Sequence, residues 1–154
     1  MMAFEKFEGP WSEAELLGCR NLFFGERLIL DLFEYQQSGP DEDLRIGSET
    51  ISGTHAISLT PSSRIWRLTF DRPFAVRARD NNLKSKHERI SDFPAACCFS
   101  ERSEWTDEFI FDQHLRFFTP THYVFDLIDN FIEIMGDSSP RVEEIANEVI
   151  SDES

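Results

Sequence analysis

The sequence predicts a mainly β, α+β fold: an antiparallel sandwich or partly closed barrel with a short N-terminal helix and a C-terminal amphipathic helix. Three observations carry this. Large apolar residues alternate with period two in several short segments, turn-forming dipeptides separate those segments, and the clearest helical signals lie at the two ends. In 154 residues there is no repeat, low-complexity tract or linker, so residues 1–154 read as a single domain.

Ser12-Glu13-Ala14-Glu15 has capping-box spacing, Leu16 and Leu17 follow, and Gly18 supplies a stop, which predicts one or two helical turns. Leu28, Leu30 and Leu32 then alternate with Ile29, Asp31 and Phe33 in strand rhythm. The stretch 36–43, with Gly39-Pro40, reads as a turn or loop, and 51–60 as a strand with His55, Ile57 and Leu59 on one face. After the Pro61-Ser62 turn, Trp66, Leu68 and Phe70 point one way and Ile65, Arg67 and Thr69 the other. Asp71-Arg72-Pro73 turns the chain into Phe74–Arg79, so three consecutive strands are expected to form an antiparallel meander.

Leu83, His87 and Ile90 fall at helical spacing, 95–100 reads as a buried strand, and 101–118 fits neither period. His122 to Met135 is the clearest hairpin. A two-residue Asp129-Asn130 turn would place Tyr123, Phe125, Leu127, Ile132 and Ile134 on a core face. Ser139-Pro140 then opens a helix whose apolar stripe is Val142, Ile145, Ala146, Val149 and Ile150. Fifteen phenylalanines read mostly as core, because a barrel or sandwich of this size fills its interior with side chains.

Twenty-nine acidic residues against fifteen basic ones give a net charge of −14. A field of that sign repels phosphate backbones and anionic lipid, and steers a basic partner inward. No nucleic-acid or membrane partner is therefore expected. Between positions 61 and 90 eight bases and three acids give +5, leaving −19 for the rest. Those basic strands either pair with acidic neighbours or form an anion-binding surface. Cys19, Cys97 and Cys98 read as reduced thiols. With no apolar run near the roughly 20 residues of a membrane span and no signal-peptide pattern, a cytoplasmic protein is expected.

Gly-rich phosphate loops, CxxC pairs, HExxH helices and GxSxG elbows are absent, and no motif implies a cofactor. Two constellations remain. In the predicted hairpin register Asp126 faces Glu133, with His122 further along. Two opposed carboxylates beside a histidine could serve acid–base chemistry or ligate a metal, or could be offset by solvent or an arginine. In the predicted meander Arg67 faces Arg77, with Arg79 beyond. Three guanidiniums on one face suit a carboxylate or phosphate ligand, unless the chain's own acids, Asp126 and Glu133 among them, cover them.

These features point first to a small acidic non-catalytic binding module, an inhibitor or immunity-type protein that engages a basic macromolecular partner. The alternatives are a small-molecule binder or enzyme with an aromatic pocket and Arg67, Arg77 or Arg79 on an anionic ligand, and a metal-assisted hydrolase built on His122, Asp126 and Glu133.

Overall fold

The computed structural model describes residues 4–37, 42–46, 48–54, 57–81, 93–108, 120–137 and 139–147. Two antiparallel sheets face each other across one core, as a sandwich rather than a closed barrel. The first sheet, A, contains β1 (Glu5–Lys6), β9 (Pro73–Asp80), β10 (Cys97–Ser100), β11 (Thr121–Asp126) and β12 (Asn130–Gly136), in the order β1-β10-β11-β12-β9. The second, B, contains β2 (Leu17–Phe24), β3 (Leu28–Glu34), β8 (Ile65–Phe70) and β13 (Arg141–Ile145), in the order β13-β8-β3-β2. Two small ribbons pair β4 (Gln36–Gln37) with β7 (Ile57–Ser58), and β5 (Glu42–Ile46) with β6 (Glu49–Thr54). One short helix, α1 (Glu104–Asp107), follows β10. None of the described helices is long and apolar enough to cross a membrane.

Alternation explains the core directly. Leu28, Leu30, Leu32, Trp66, Leu68 and Phe70 project inward from sheet B and meet Tyr123, Phe125, Ile132 and Ile134 from sheet A. The Phe70 and Tyr123 rings bridge the sheets edge-to-face, with centroids 5.2 Å apart. Gly18 sits opposite Phe33 in register, and a Cβ there would come within 2.6 Å of the Phe33 ring and 2.5 Å of Tyr35. The missing side chain lets two aromatic rings cover that part of the strand.

Several expectations are corrected. Around the N-terminal capping-box motif the chain makes a turn rather than a helix. The Ser12 hydroxyl reaches back to accept from the Gly9 amide at 2.9 Å, and Trp11 is buried in the core. Gly18 lies inside β2 instead of ending a helix. Burial of the Trp11 indole outweighs the local capping signal.

The C-terminal amphipathic helix is likewise not observed. Arg141–Ile145 is a strand paired along the whole outer side of β8, from Arg141 opposite Thr69 to Ile145 opposite Ile65. The open edge of β8 offers backbone donors and acceptors that a strand satisfies. Val149 and Ile150 of the expected stripe lie outside the described residues.

The meander does not form either. β8 pairs with β3 and β13, whereas β9 pairs with β12 in the other sheet. The Asp71-Arg72 link carries the chain across the sandwich. Expectations for His55, His87, His114 and most of 101–118 fall outside the described residues, as does the helical spacing at 83–90.

The β11–β12 hairpin keeps its expected faces but not its register. Val124, rather than Asp126, stands opposite Glu133, and His122 stands opposite Met135. A three-residue connection, 127–129, replaces the two-residue turn. Leu127 turns into the core at 2% exposure and its amide donates to the Asn130 carbonyl at 2.9 Å. Asn81 donates its side-chain amide to Asp126 and to the Leu127 carbonyl, and Tyr35 donates its hydroxyl to Asp129. These partners come from distant parts of the chain. A shift of two residues preserves which face each side chain occupies.

Candidate functional site

The β9–β12 pairing gathers five of the six sequence-predicted site residues onto the outer face of sheet A. Arg77 is in register with Glu133, Arg79 with Phe131, and His122 and Asp126 share that face on the neighbouring β11. Arg67 is the exception, on the outer face of sheet B. The three arginines therefore do not form one cluster.

Glu133 is the hub. Both arms of Arg77 reach its carboxylate, Nη2 to Oε1 at 2.8 Å and Nε to Oε2. His122 Nε2 meets Oε1 at 2.9 Å, while His122 Nδ1 lies 2.8 Å from Ser103 Oγ. Glu133 is 7% exposed and His122 4%. Burial pushes the Glu133 carboxyl up, but the hydrogen bonds from His122 and Arg77 outweigh it and bring the pKa to about 2. The ionised carboxylate can only accept, which places a proton on His122 Nε2.

Ser103 caps α1. Its Oγ accepts from the Thr106 amide at 3.2 Å, and the Thr106 hydroxyl accepts from the Ser103 amide at 2.8 Å. The Ser103 hydroxyl keeps one hydrogen and a second lone pair, so it can meet His122 Nδ1 as donor or as acceptor.

Aromatic rings enclose the network. Trp105 lies edge-on to His122 with centroids 5.0 Å apart, Phe4 does so from the N-terminal segment at 5.3 Å, and Arg77 Cζ is 4.2 Å from the Trp105 ring centre. Phe4 and Phe93 also pack on Cys98, Val124 and Phe131. Sheet A is thus buried on both faces along β11 and β12.

In residue type Ser103–His122–Glu133 resembles a nucleophile, base and acid in line. Yet the hydroxyl belongs to a residue 2% exposed and serves as a helix cap. The geometry is that of a rigid buried hydrogen-bond chain. Asp126 stands apart, accepting from Asn81 Nδ2 at 2.8 Å. Arg79 Cζ lies 4.4 Å from the Phe131 ring centre. Among the described residues no three His, Cys, Asp or Glu side chains are placed to hold a metal. Burial pushes the Cys97 and Cys98 thiols up to about 12, with smaller contributions from Cys98 and Asp126 respectively, so neither is a ready nucleophile.

On sheet B, Arg67 clasps Asp31 with both arms, Nε to Oδ1 at 2.9 Å and Nη2 to Oδ2 at 3.0 Å. The Arg67 pKa is raised mainly by that hydrogen bond. Asn21, Asp31, Arg67 and Glu143 stand in register across four strands, beside a groove of about 240 Å³.

Ser103, Trp105, Asn81 and Asp31 were not singled out from sequence. For Ser103 the signal was present, because Ser103-Glu104-Trp105-Thr106 has cap spacing. Asp31 between Ile29 and Phe33 on one strand face was a second readable sign. Asn81 and Trp105 depend on distant partners and carry none. No family model, no curated protein and no solved structure matches the chain.

Proposed function

We propose that the chain is an acidic, non-catalytic binding domain that engages a basic protein partner, as an inhibitor or immunity-type protein does. The observation that carries this reading is the exposed aromatic pair at the tip of the β2–β3 hairpin. Phe23 is 63% and Phe24 48% exposed, on a strand that ends its sheet among the described residues. The state of the candidate charges supports it. Arg67 and Arg77 are each clasped by an internal carboxylate, and Glu133 by Arg77 and His122, so these groups are committed within the fold. The net charge of −14 then speeds capture of a basic surface, while two large rings supply apolar area once contact is made.

The test is the double variant Phe23→Asp, Phe24→Asp, compared with the unaltered protein for partners captured from cells and identified. Loss of a basic partner by the variant, with salt-dependent capture by the unaltered chain, is the expected result. Capture of the same proteins by both would sink the proposal.

A second reading, a binder of small anions, has one observation in its favour: Arg20 and Arg67 both line the 240 Å³ groove on sheet B. Asp31 already occupies two donors of the Arg67 fork, which weakens it. A saturable phosphate titration that perturbs Arg20 and Arg67 would favour this reading over the first.

A further inference from the structure

The outer face of sheet B places a small groove beside the exposed Phe23. Asn21 and Phe23 lie two residues apart on β2, so alternation puts both on that face, about 7 Å apart along the strand. The groove, of about 240 Å³, is lined by Arg20, Asn21, Asp31, Arg67, Ile145 and Ala146.

Consecutive strand residues normally point to opposite faces, yet Arg20 and Asn21 share this lining. A bulge explains it. Cys19 is in register with Leu32 and Asn21 with Asp31, so Arg20 is the extra residue, without a partner across the ladder. Such an insertion re-aims a side chain, and here it brings Arg20 to the groove. The Arg20 side chain makes no hydrogen bond or ion pair among the described residues. That is unexpected in a chain with 29 acidic residues against fifteen basic ones.

The one carboxylate in the lining is already engaged. Asp31 is 1% exposed and accepts from Arg67 Nε and Nη2 and from Asn21 Nδ2. Arg67 uses two of its five N–H groups in this way, which leaves three, on a side chain 35% exposed. Glu143 stands opposite Arg67 in register but lies outside the lining. The groove therefore has one positive charge in excess, and Ile145 and Ala146 give it an apolar wall.

We propose that this groove is a carboxylate subsite of the Phe23 docking surface, taking an aspartate or glutamate side chain of the partner between Arg20 and Arg67. The partner's apolar residue two positions away, in an extended segment, covers Phe23, because that spacing matches Asn21 to Phe23. A singly charged carboxylate balances the single excess charge, and the apolar wall suits the methylenes beneath it. The proposal rests on the reading of Phe23 as a partner contact. The field of the whole chain draws a basic partner in, and one acid placed here fixes its orientation.

The test titrates the full ¹⁵N-labelled chain with N-acetyl-Leu-Gly-Glu-Gly-Leu amide, which presents the acid and an apolar residue in both chain directions. The peptide should move the Arg20, Asn21 and Phe23 resonances saturably, and its Gln counterpart should bind about tenfold more weakly. Arg20→Gln alters an exposed side chain and should weaken the Glu peptide by a similar factor. Ala146→Leu narrows the groove with every charge kept, and should weaken it too.

Equal affinity for the Glu and Gln peptides, or no effect of Arg20→Gln, overturns the proposal. So does tighter binding of inorganic phosphate than of the peptide, which makes the groove a small-anion site. A cellular partner lost with the Phe23 and Phe24 substitutions but held undiminished by Arg20→Glu also overturns it, and leaves the proposed function standing. Saturable binding of the Glu peptide at Arg20 with no basic cellular partner upholds the carboxylate subsite and sinks the proposed function instead.

Discussion

The outer faces of the two sheets carry the same device in two settings. On each, an arginine of one strand clasps a carboxylate directly opposite on its neighbour, Arg77 with Glu133 and Arg67 with Asp31. On sheet A the carboxylate also holds buried His122, which holds the cap of α1, under Trp105 and Phe4. On sheet B Asp31 accepts, besides Arg67, only a 3.5 Å hydrogen bond from the exposed Asn21 among the described residues. Thus the two pairs differ less in their own geometry than in what each would strand if broken. A buried ion pair matters through the groups left behind.

The largest contrast should come from deleting the carboxylates. Glu133→Ala leaves the His122 Nε2 proton buried without an acceptor and should cost about 3–5 kcal/mol in chemical denaturation. Asp31→Asn leaves Arg67, 35% exposed, free to turn to water, and should cost about 1–2 kcal/mol. Equal losses would show that enclosure by Trp105 and Phe4 adds nothing.

Acid should sharpen the same comparison. The Glu133 pKa falls from an ordinary 4.5 to about 2 on folding, so its contribution, about 3 kcal/mol, is present in full above pH 4.5 and is lost as pH falls toward 2. A stability profile of Glu133→Gln should lack that part of the acid slope. An unchanged slope would place the acid sensitivity elsewhere. The smallest effect is expected at the edge of sheet B. The Arg141–Asp71 pair has side chains 64% and 48% exposed, and Arg141→Ala should leave the melting midpoint unmoved.

Faces were more legible in the sequence than partners. Alternation alone assigns Tyr123, Phe125, Leu127, Ile132 and Ile134 to the core, because side-chain direction follows from spacing along one strand. Register was not legible. Asp129-Asn130 is a sound two-residue turn locally, but Asn81 and Tyr35 hold a longer connection from other parts of the chain. For the same reason Asp71-Arg72-Pro73 reads equally as a hairpin turn or a crossing between sheets. The stripe from Val142 to Ala146 suits a helix until the open edge of β8 is known.

The candidate site shared this fate. His122, Glu133 and Arg77 could be named individually from sequence, while their meeting required the β9–β12 pairing. Ser103 could have been found from its cap spacing, and Trp105 could not.

The crossing at Asp71-Arg72 also bears on how fast the protein can assemble. A hairpin there would have let β8 and β9 zip together at once; instead each must find a partner far along the chain. Arg77 meets Glu133 across 56 residues and Arg67 meets Asp31 across 36. The β2–β3 and β11–β12 hairpins can form early, but the sandwich waits on these long loop closures. Folding on the millisecond-to-second scale of all-β domains follows, and its slow step should be the docking of β8 and β9 onto hairpins already made.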